Sequence, residues 1–336
     1  MNTCFFHIGN PKSYSTSIQQ MLFENRGWNF EYIGFSPNQE YNSWFFDEKS
    51  RDFLDYDLRY VSNYFFDLKK HDYRNHFFDL FEKAKGKNKD LWISSETSLM
   101  RYLLQDQDST IKFRRMQEVM PPMTTFILIF RNVFDSIKSI YKEYVKQRYC
   151  YDFETFCQES YMFRESNYLF GLLPGHTIEL LINSLINGNQ LKCYFLGSDD
   201  GNKNLLNFFN GLVENYKFHH FPKANLSKNK LSWSKQLELN RNSKYFISQS
   251  GLIENHRSLS KYRSDNHSLT DNVIWNKLRD KKESEFKELN TNIDFNKDLK
   301  IQGSLGDYLK KVKNEDIEKL KIYKTNFSGS ITDVWE

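Results

Sequence analysis

The run Thr124-Thr-Phe-Ile-Leu-Ile-Phe130 limits the possible folds of this chain more than any other feature. Its residues are uncharged, and all are apolar or β-branched. A strand with one wet face alternates polar and apolar residues. This run does not, so it reads as a strand covered on both faces of a parallel sheet. It ends at Arg131-Asn132, and then Ile137, Ile140, Tyr141, Tyr144 and Val145 recur at helical spacing. Asp135 falls in the first turn of that helix, where a carboxylate suits the helix dipole. The same sequence of elements appears elsewhere. Thr3–Ile8 reads as a short buried strand, followed by a polar loop and by Ile18, Met21 and Leu22 at helical spacing. Gly27 stands where that helix stops. Leu91–Thr97 is another strand ending in a polar turn. Leu191–Leu196 is a later one, with a turn at Gly197–Gly201 and a helix over Asn204–Val213. Strands alternating with helices predict an α/β protein with a mostly parallel central sheet and peripheral helices.

The first of these turns carries the most chemistry. It reads His7-Ile8-Gly9-Asn10-Pro11-Lys12-Ser13-Tyr14-Ser15-Thr16-Ser17-Ile18-Gln19. Backbone N–H groups and the positive end of a helix dipole make such a place an anion site. Lys12 adds a point charge, and Ser13, Ser15, Thr16 and Ser17 add hydroxyl donors. The loop suits a phosphate-like group. It is not a Walker A loop, since the string G-x-x-x-x-G-K-[ST] is absent.

The order Gly9-x-Pro11-Lys12-x-x-Ser15-Thr16-Ser17-x-Gln19 instead resembles the 5′-phosphosulfate loop of sulfotransferases that use PAPS (3′-phosphoadenosine 5′-phosphosulfate). The string Arg131-Asn-Val-Phe-Asp135-Ser-Ile-Lys-Ser139-Ile-Tyr141 resembles the same family's 3′-phosphate motif. The resemblance implies a P-loop-like, three-layer fold. It also implies that Gly9, Pro11, Lys12, Ser13, Tyr14, Ser15, Thr16 and Ser17 surround the 5′-phosphosulfate. Arg131 and Ser139 would bind the 3′-phosphate. Two positions depart from the pattern. Val133 stands where the family often has proline. Tyr14 stands where it usually has glycine or another small residue. A tyrosine tolerates positive φ poorly, so the turn is expected to differ locally.

Sulfuryl transfer needs a base to take the proton from the acceptor hydroxyl. The family uses His or Glu, and the Ser94-Ser95-Glu96 turn resembles that of bacterial-type members, so Glu96 is the candidate base. Its other reading is a carboxylate that caps a helix over Thr97–Leu104. His7 is the rival base, with a structural role in the first strand as its alternative. Weaker echoes follow. Lys223-Ala-Asn225-Leu-Ser227 resembles an Asn-x-Ser turn that lies near the nucleotide in bacterial-type members, which makes Asn225 and Ser227 candidate contacts. Ile317–Tyr323 has helical spacing and resembles the family's closing helix. After Leu196 the family's usual acidic residue is missing.

Composition sets wide bounds. The 336 residues include 17% aromatics and carry a net charge of +4, which fits an ordinary folded enzyme and calls for no nucleic-acid partner. The four cysteines show neither CxxC spacing nor the density of a disulfide framework. Cys4 and Cys193 fall in apolar strands and are expected to be buried thiols. No metal is expected. No apolar run is long enough to span a bilayer. The first strand begins at residue 3, and so a cytoplasmic protein with neither leader nor anchor is expected. No repeat or linker is evident, so one domain over 1–336 is expected, with the charged stretch 254–316 as an insertion or lid. The acceptor is expected to be a small molecule or glycan, with carbohydrate or glycolipid favoured by the resemblance. Two other classes stay open: a nucleotide-dependent kinase on a related fold, and a non-catalytic protein that binds PAP, the product nucleotide.

Overall fold

A computed structural model describes residues 2–9, 13–35, 44–45, 47–95, 109–146, 153, 156–157, 173–197, 202–222 and 303–335. The chain divides into two compact units. The first comprises Met1–Ile137, Glu159–Ser227 and Gly303–Glu336. The second comprises Lys138–Gln158 and Lys228–Gln302.

The first unit is built on a sheet. Strands β1 (Cys4–Ile8), β2 (Phe30–Phe35), β4 (Asp90–Ser95), β5 (Thr125–Arg131), β6 (Gln190–Leu196) and β7 (Phe327–Ser328) are parallel. The two-residue β3 (Trp44–Phe45) adds an antiparallel edge beside β2. The order across the sheet is β3-β2-β4-β1-β5-β6-β7, with β1 at the centre. Its helices are α1 (Ser15–Asn25), α2 (Glu48–Arg51), α3 (Asn63–Gly86), α4 (Ser109–Val119), α6 (Pro174–Asn183), α7 (Asn202–Leu212), α8 (Gly303–Ile322) and α9 (Ile331–Trp335). Helix α5 (Val133–Lys146) starts in the first unit, and its residues from Lys138 onward belong to the second. Three layers result, in the P-loop-like arrangement expected.

Both faces of the sheet are packed. On one, Phe5, Trp92, Ile127, Ile129 and Tyr194 meet Ile18, Met21 and Leu22 of α1 and Leu205 and Phe209 of α7. Phe5 stacks on Trp92 at 4.4 Å, and the Trp92 indole N–H donates to the Tyr216 hydroxyl at 2.6 Å. Ile18, Met21 and Leu22 lie at i, i+3 and i+4, so one stripe of α1 is buried. Burial of each such side chain contributes about 1.5–3 kcal/mol. The helix ends as its sequence requires: Gly27 turns to φ 95° and donates its N–H to Phe30. On the other face, Phe6, Phe126 and Phe113 of α4 form an aromatic column.

A six-residue π-helix, Asp52–Asp57, follows α2. The buried Arg115 of α4 fastens it from outside, donating to the carbonyls of Asp57 at 2.8 Å and Val61 at 2.6 Å. The first part of the charged stretch, 254–302, lies outside the described residues. From Gly303 onward it is helix α8, packed on α6. Among the described residues of the second unit, Tyr141 packs against Phe153 and Phe156. Among the described residues, no helix is long and apolar enough to cross a membrane.

Candidate functional site

Helix α1, which follows β1, packs on one face of the sheet, while α4, which follows β4, packs on the other. Diverging connections open a crevice outside the carboxyl end of the central strand, where ligands of open α/β sheets bind. The start of α1 lies beyond the carboxyl end of β1, and Arg131 lies at the end of the adjacent β5.

Gly9 carries the β1 ladder one step further, donating to the Ser95 carbonyl at 2.8 Å. Asn10, Pro11 and Lys12 lie outside the described residues. From Ser13 the chain is described again, and Ser13, Ser15 and Ser17 are buried, which is unusual for hydroxyls on a surface turn. Tyr14 precedes the first turn of α1 in the left-handed region, at φ 63° and ψ 16°. Its carbonyl accepts the first helical bond, from Ile18 N–H at 2.9 Å. The tyrosine thus adopts the positive φ that its side chain tolerates poorly, at a cost of about 1–2 kcal/mol. Tyr14 gives α1 no side-chain cap, and no acidic residue stands in the first turn. In any α-helix the first N–H groups make no bond within the helix, so this end favours an anion.

Beneath the loop lies a polar layer. His7 is wholly buried, and its Nδ1 lies 2.8 Å from Ser94 Oγ on the neighbouring strand. Ser94 also bonds the buried Tyr32 side chain. Tyr32 folds its hydroxyl over Gly34, where a Cβ would come within 2.2 Å of it. His7 Nε2 has no partner, and neither carboxamide atom of the wholly buried Gln19 has one. Burial lowers the His7 pKa to about 3, so the imidazole is neutral at ordinary pH. His7 therefore sits inside the protein, engaged with the sheet, and not on the rim of the crevice.

Arg131 is half-buried at the end of β5, and its Nη2 stands 3.8 Å from the Asp135 carboxylate. Asn132 caps α5, its Oδ1 accepting from Asp135 N–H at 3.1 Å. Ser139 belongs to the second unit and is half-buried. Glu96, Asn225 and Ser227 lie outside the described residues, as does the helix expected over Thr97–Leu104. Cys4 and Cys193 are free and buried, and burial raises the Cys4 thiol to about 12. Among the described residues, no group of three His, Cys, Asp or Glu side chains is placed to share a metal ion.

A second helix start is built in the opposite way. Asp316 of α8 is wholly buried, and its Oδ1 accepts from the His176 backbone N–H and from His176 Nδ1, both at 2.9 Å. Its Oδ2 accepts from the Trp335 indole N–H, also at 2.9 Å. The carboxylate caps α6, whose N-cap residue Leu173 has no acceptor side chain. Gly175 permits the approach, because a Cβ there would lie 2.3 Å from the Asp316 carbonyl.

Sequence reasoning assigned no role to Gln19, Ser94, Tyr32 or Phe221, although Gln19 closes the loop motif and Ser94 opens the Ser94-Ser95-Glu96 turn. Gln19 had a legible signal: it lies four residues after Ser15 and three before Leu22, on the buried stripe of α1. Ser94 and Tyr32 are brought to His7 only by strand pairing. Compared with protein-family models, curated proteins and solved structures, the chain matches none of them.

Proposed function

We propose that this protein is a PAPS-dependent sulfotransferase, transferring a sulfuryl group to a hydroxyl of a carbohydrate or glycolipid acceptor. The observation that carries the reading is the start of α1. It is a helix whose N-cap side chain makes no capping bond, with buried serines and a left-handed entry residue, beside the carboxyl end of the central strand. Arg131, at the end of the adjacent strand β5, stands in the same chain order as in the family the sequence resembles.

In this reading the amides of the loop, with Ser15, Thr16 and Ser17, hold the 5′-phosphate. Lys12 neutralises charge on the oxygen that bridges sulfur and phosphorus. The acceptor oxygen attacks sulfur in line, the sulfur–oxygen bond to the 5′-phosphate breaks, and PAP leaves. The acceptor proton passes to Glu96, which is preferred to His7 because His7 is buried and bonded to Ser94. Catalysis then consists of positioning and electrostatics, as in phosphoryl transfer. Arg131 reads the 3′-phosphate. The free buried thiols of Cys4 and Cys193 support a cytoplasmic setting.

The test is titration calorimetry with PAP, AMP and ATP. A charge-assisted bond contributes about 1.5–3 kcal/mol, so PAP should bind at least about tenfold more tightly than AMP. Arg131→Ala should erase most of that preference and leave AMP affinity nearly unchanged. Equal affinity for PAP and AMP in the unmutated protein defeats the PAPS reading, and tighter binding of ATP favours a kinase.

A further inference from the structure

Tyr14 carries an inference that rests on the nucleotide reading above. It holds left-handed backbone, a conformation in which glycine is at ease and tyrosine is not. A strained residue held in place directs attention to what its side chain does. The ring gives α1 no capping bond. Nor does it fill the core, for Tyr14 is 43% exposed. It stands beside Phe221, which is 4% exposed, with ring centroids 6.3 Å apart and planes tilted by 50°. Phe221 belongs to the cluster between α1, α7 and the sheet. So the tyrosine ring is backed by the core and presented to solvent, directly beside the helix start that suits a phosphate.

A second observation lies on the two elements that the loop joins: among the described residues, His7 Nε2 and both carboxamide atoms of Gln19 are buried without partners. Buried polar atoms of that kind are rare in native structures and mark places where a water, ion or ligand group is missing from the count. An anion cradle with an aromatic ring at its edge matches a nucleotide, which offers a phosphate and a flat base a few bonds apart.

We propose that Tyr14, backed by Phe221, stacks on the purine base of the bound nucleotide. The position that the resemblance fills with glycine then does a second job in this chain. Its backbone shapes the phosphate loop, and its ring adds affinity for the base. Stacking needs the ring and not the hydroxyl, so Tyr14→Phe should behave as the unmutated protein, whereas Tyr14→Gly keeps the backbone shape and removes the ring.

The experiment compares AMP with ribose 5-phosphate by titration calorimetry, because the pair differs in the base alone. The unmutated protein and Tyr14→Phe should bind AMP more tightly than ribose 5-phosphate. Tyr14→Gly should lose about tenfold or more in AMP affinity, the scale of one aromatic–base stack, with ribose 5-phosphate unchanged. Its thermal midpoint should hold or rise, since glycine relaxes the turn. An equal loss for both ligands, or no loss for AMP, overturns the stacking. So does failure of the unmutated protein to bind either AMP or PAP, which removes the nucleotide reading with it. If AMP and PAP bind equally while Tyr14→Gly still weakens AMP selectively, the stacking stands and only the 3′-phosphate reading falls.

Discussion

The starts of α1 and α6 pose one physical problem and receive opposite answers. Each helix leaves unpaired-in-helix N–H groups and a positive dipole end. At α6 the chain supplies its own anion. Asp316 is buried against the first turn, takes three donors and is approached closely through Gly175. At α1 the chain supplies neutral hydroxyls, no acid in the first turn and no side-chain cap. It also accepts a left-handed tyrosine and orphaned polar atoms nearby. Where structure alone was at stake, a carboxylate was placed from another helix. Among the described residues no carboxylate is placed at the start of α1, and in the proposed reading a bound anion takes that place. The α6 end is a knot that closes the C-terminal helices onto the fold, and the α1 end is, in the proposed reading, a socket.

The sharpest way to break that contrast is to remove the built-in anion. Asp316→Ala removes the acceptor of the buried Trp335 indole and of the first turn of α6 at His176. The loss should be about 3 kcal/mol of stability, as for breaking a buried charged network. Urea denaturation should show the drop, while phosphate and AMP affinity at the α1 end stay unchanged. A change below about 1 kcal/mol, against the usual cost of stranded buried donors, means that the knot is not what holds α6 and α8 together. Loss of AMP binding in a folded Asp316→Ala protein means that the two helix ends are not independent.

The converse experiment gives the socket an anion of its own. Thr16 lies in the first turn of α1 and is half-buried. Thr16→Asp places a carboxylate where the dipole favours one, which should raise stability by about 0.5 kcal/mol at low salt. The same charge repels a phosphate, so AMP and PAP affinity should fall by about tenfold, or ~1.4 kcal/mol. Thr16→Asn, with similar shape and no charge, separates repulsion from lost hydroxyl contact. Unchanged nucleotide affinity in Thr16→Asp would place the anion elsewhere.

The contrast also shows which parts of the molecule were legible in the sequence. Strands β1, β4, β5 and β6 were readable because a strand buried on both faces writes its burial into an apolar run, as in Thr125–Arg131, whereas β2 with its mixed Phe-Glu-Tyr-Ile-Gly-Phe was not. Helix α1 was readable from Ile18, Met21 and Leu22, and its end from Gly27. Edge strands β3 and β7 were not, since two residues carry no period. The Asp316 knot was invisible for another reason. Its partners stand 140 positions away at His176 and 19 away at Trp335, and long-range pairing leaves no local pattern. The π-helix at Asp52–Asp57 is held by Arg115, again from a distant helix. At the candidate site the loop's residue types were legible. The left-handed backbone of Tyr14 was not legible, because propensity disfavours what the fold enforces.

The smallest expected effect concerns the layer beneath the socket, where His7 distinguishes the two helix ends by pH. Its folded pKa is held down to about 3 by burial, against an ordinary value of 6.5. The sign follows from proton binding. Between those values the unfolded chain holds a proton on His7 that the folded protein does not, so stability rises with pH through this window and falls as the solution is acidified. The contribution is complete above about pH 7 and changes no further below about pH 3. From pH 7 to pH 6 it amounts to about 0.7 kcal/mol, growing toward ~1.4 kcal/mol per pH unit below that. His7→Gln keeps a hydrogen-bonding group of similar reach to Ser94 and cannot titrate, so its stability curve should lack this slope. Denaturation midpoints of both proteins, measured between pH 7 and pH 5 in parallel, give the difference directly. Parallel curves would mean that His7 gains a proton in the folded state, and hence that a water path or an anion reaches the buried layer. In that case the socket extends deeper than the first turn of α1, and phosphate should change the His7 titration as followed by NMR.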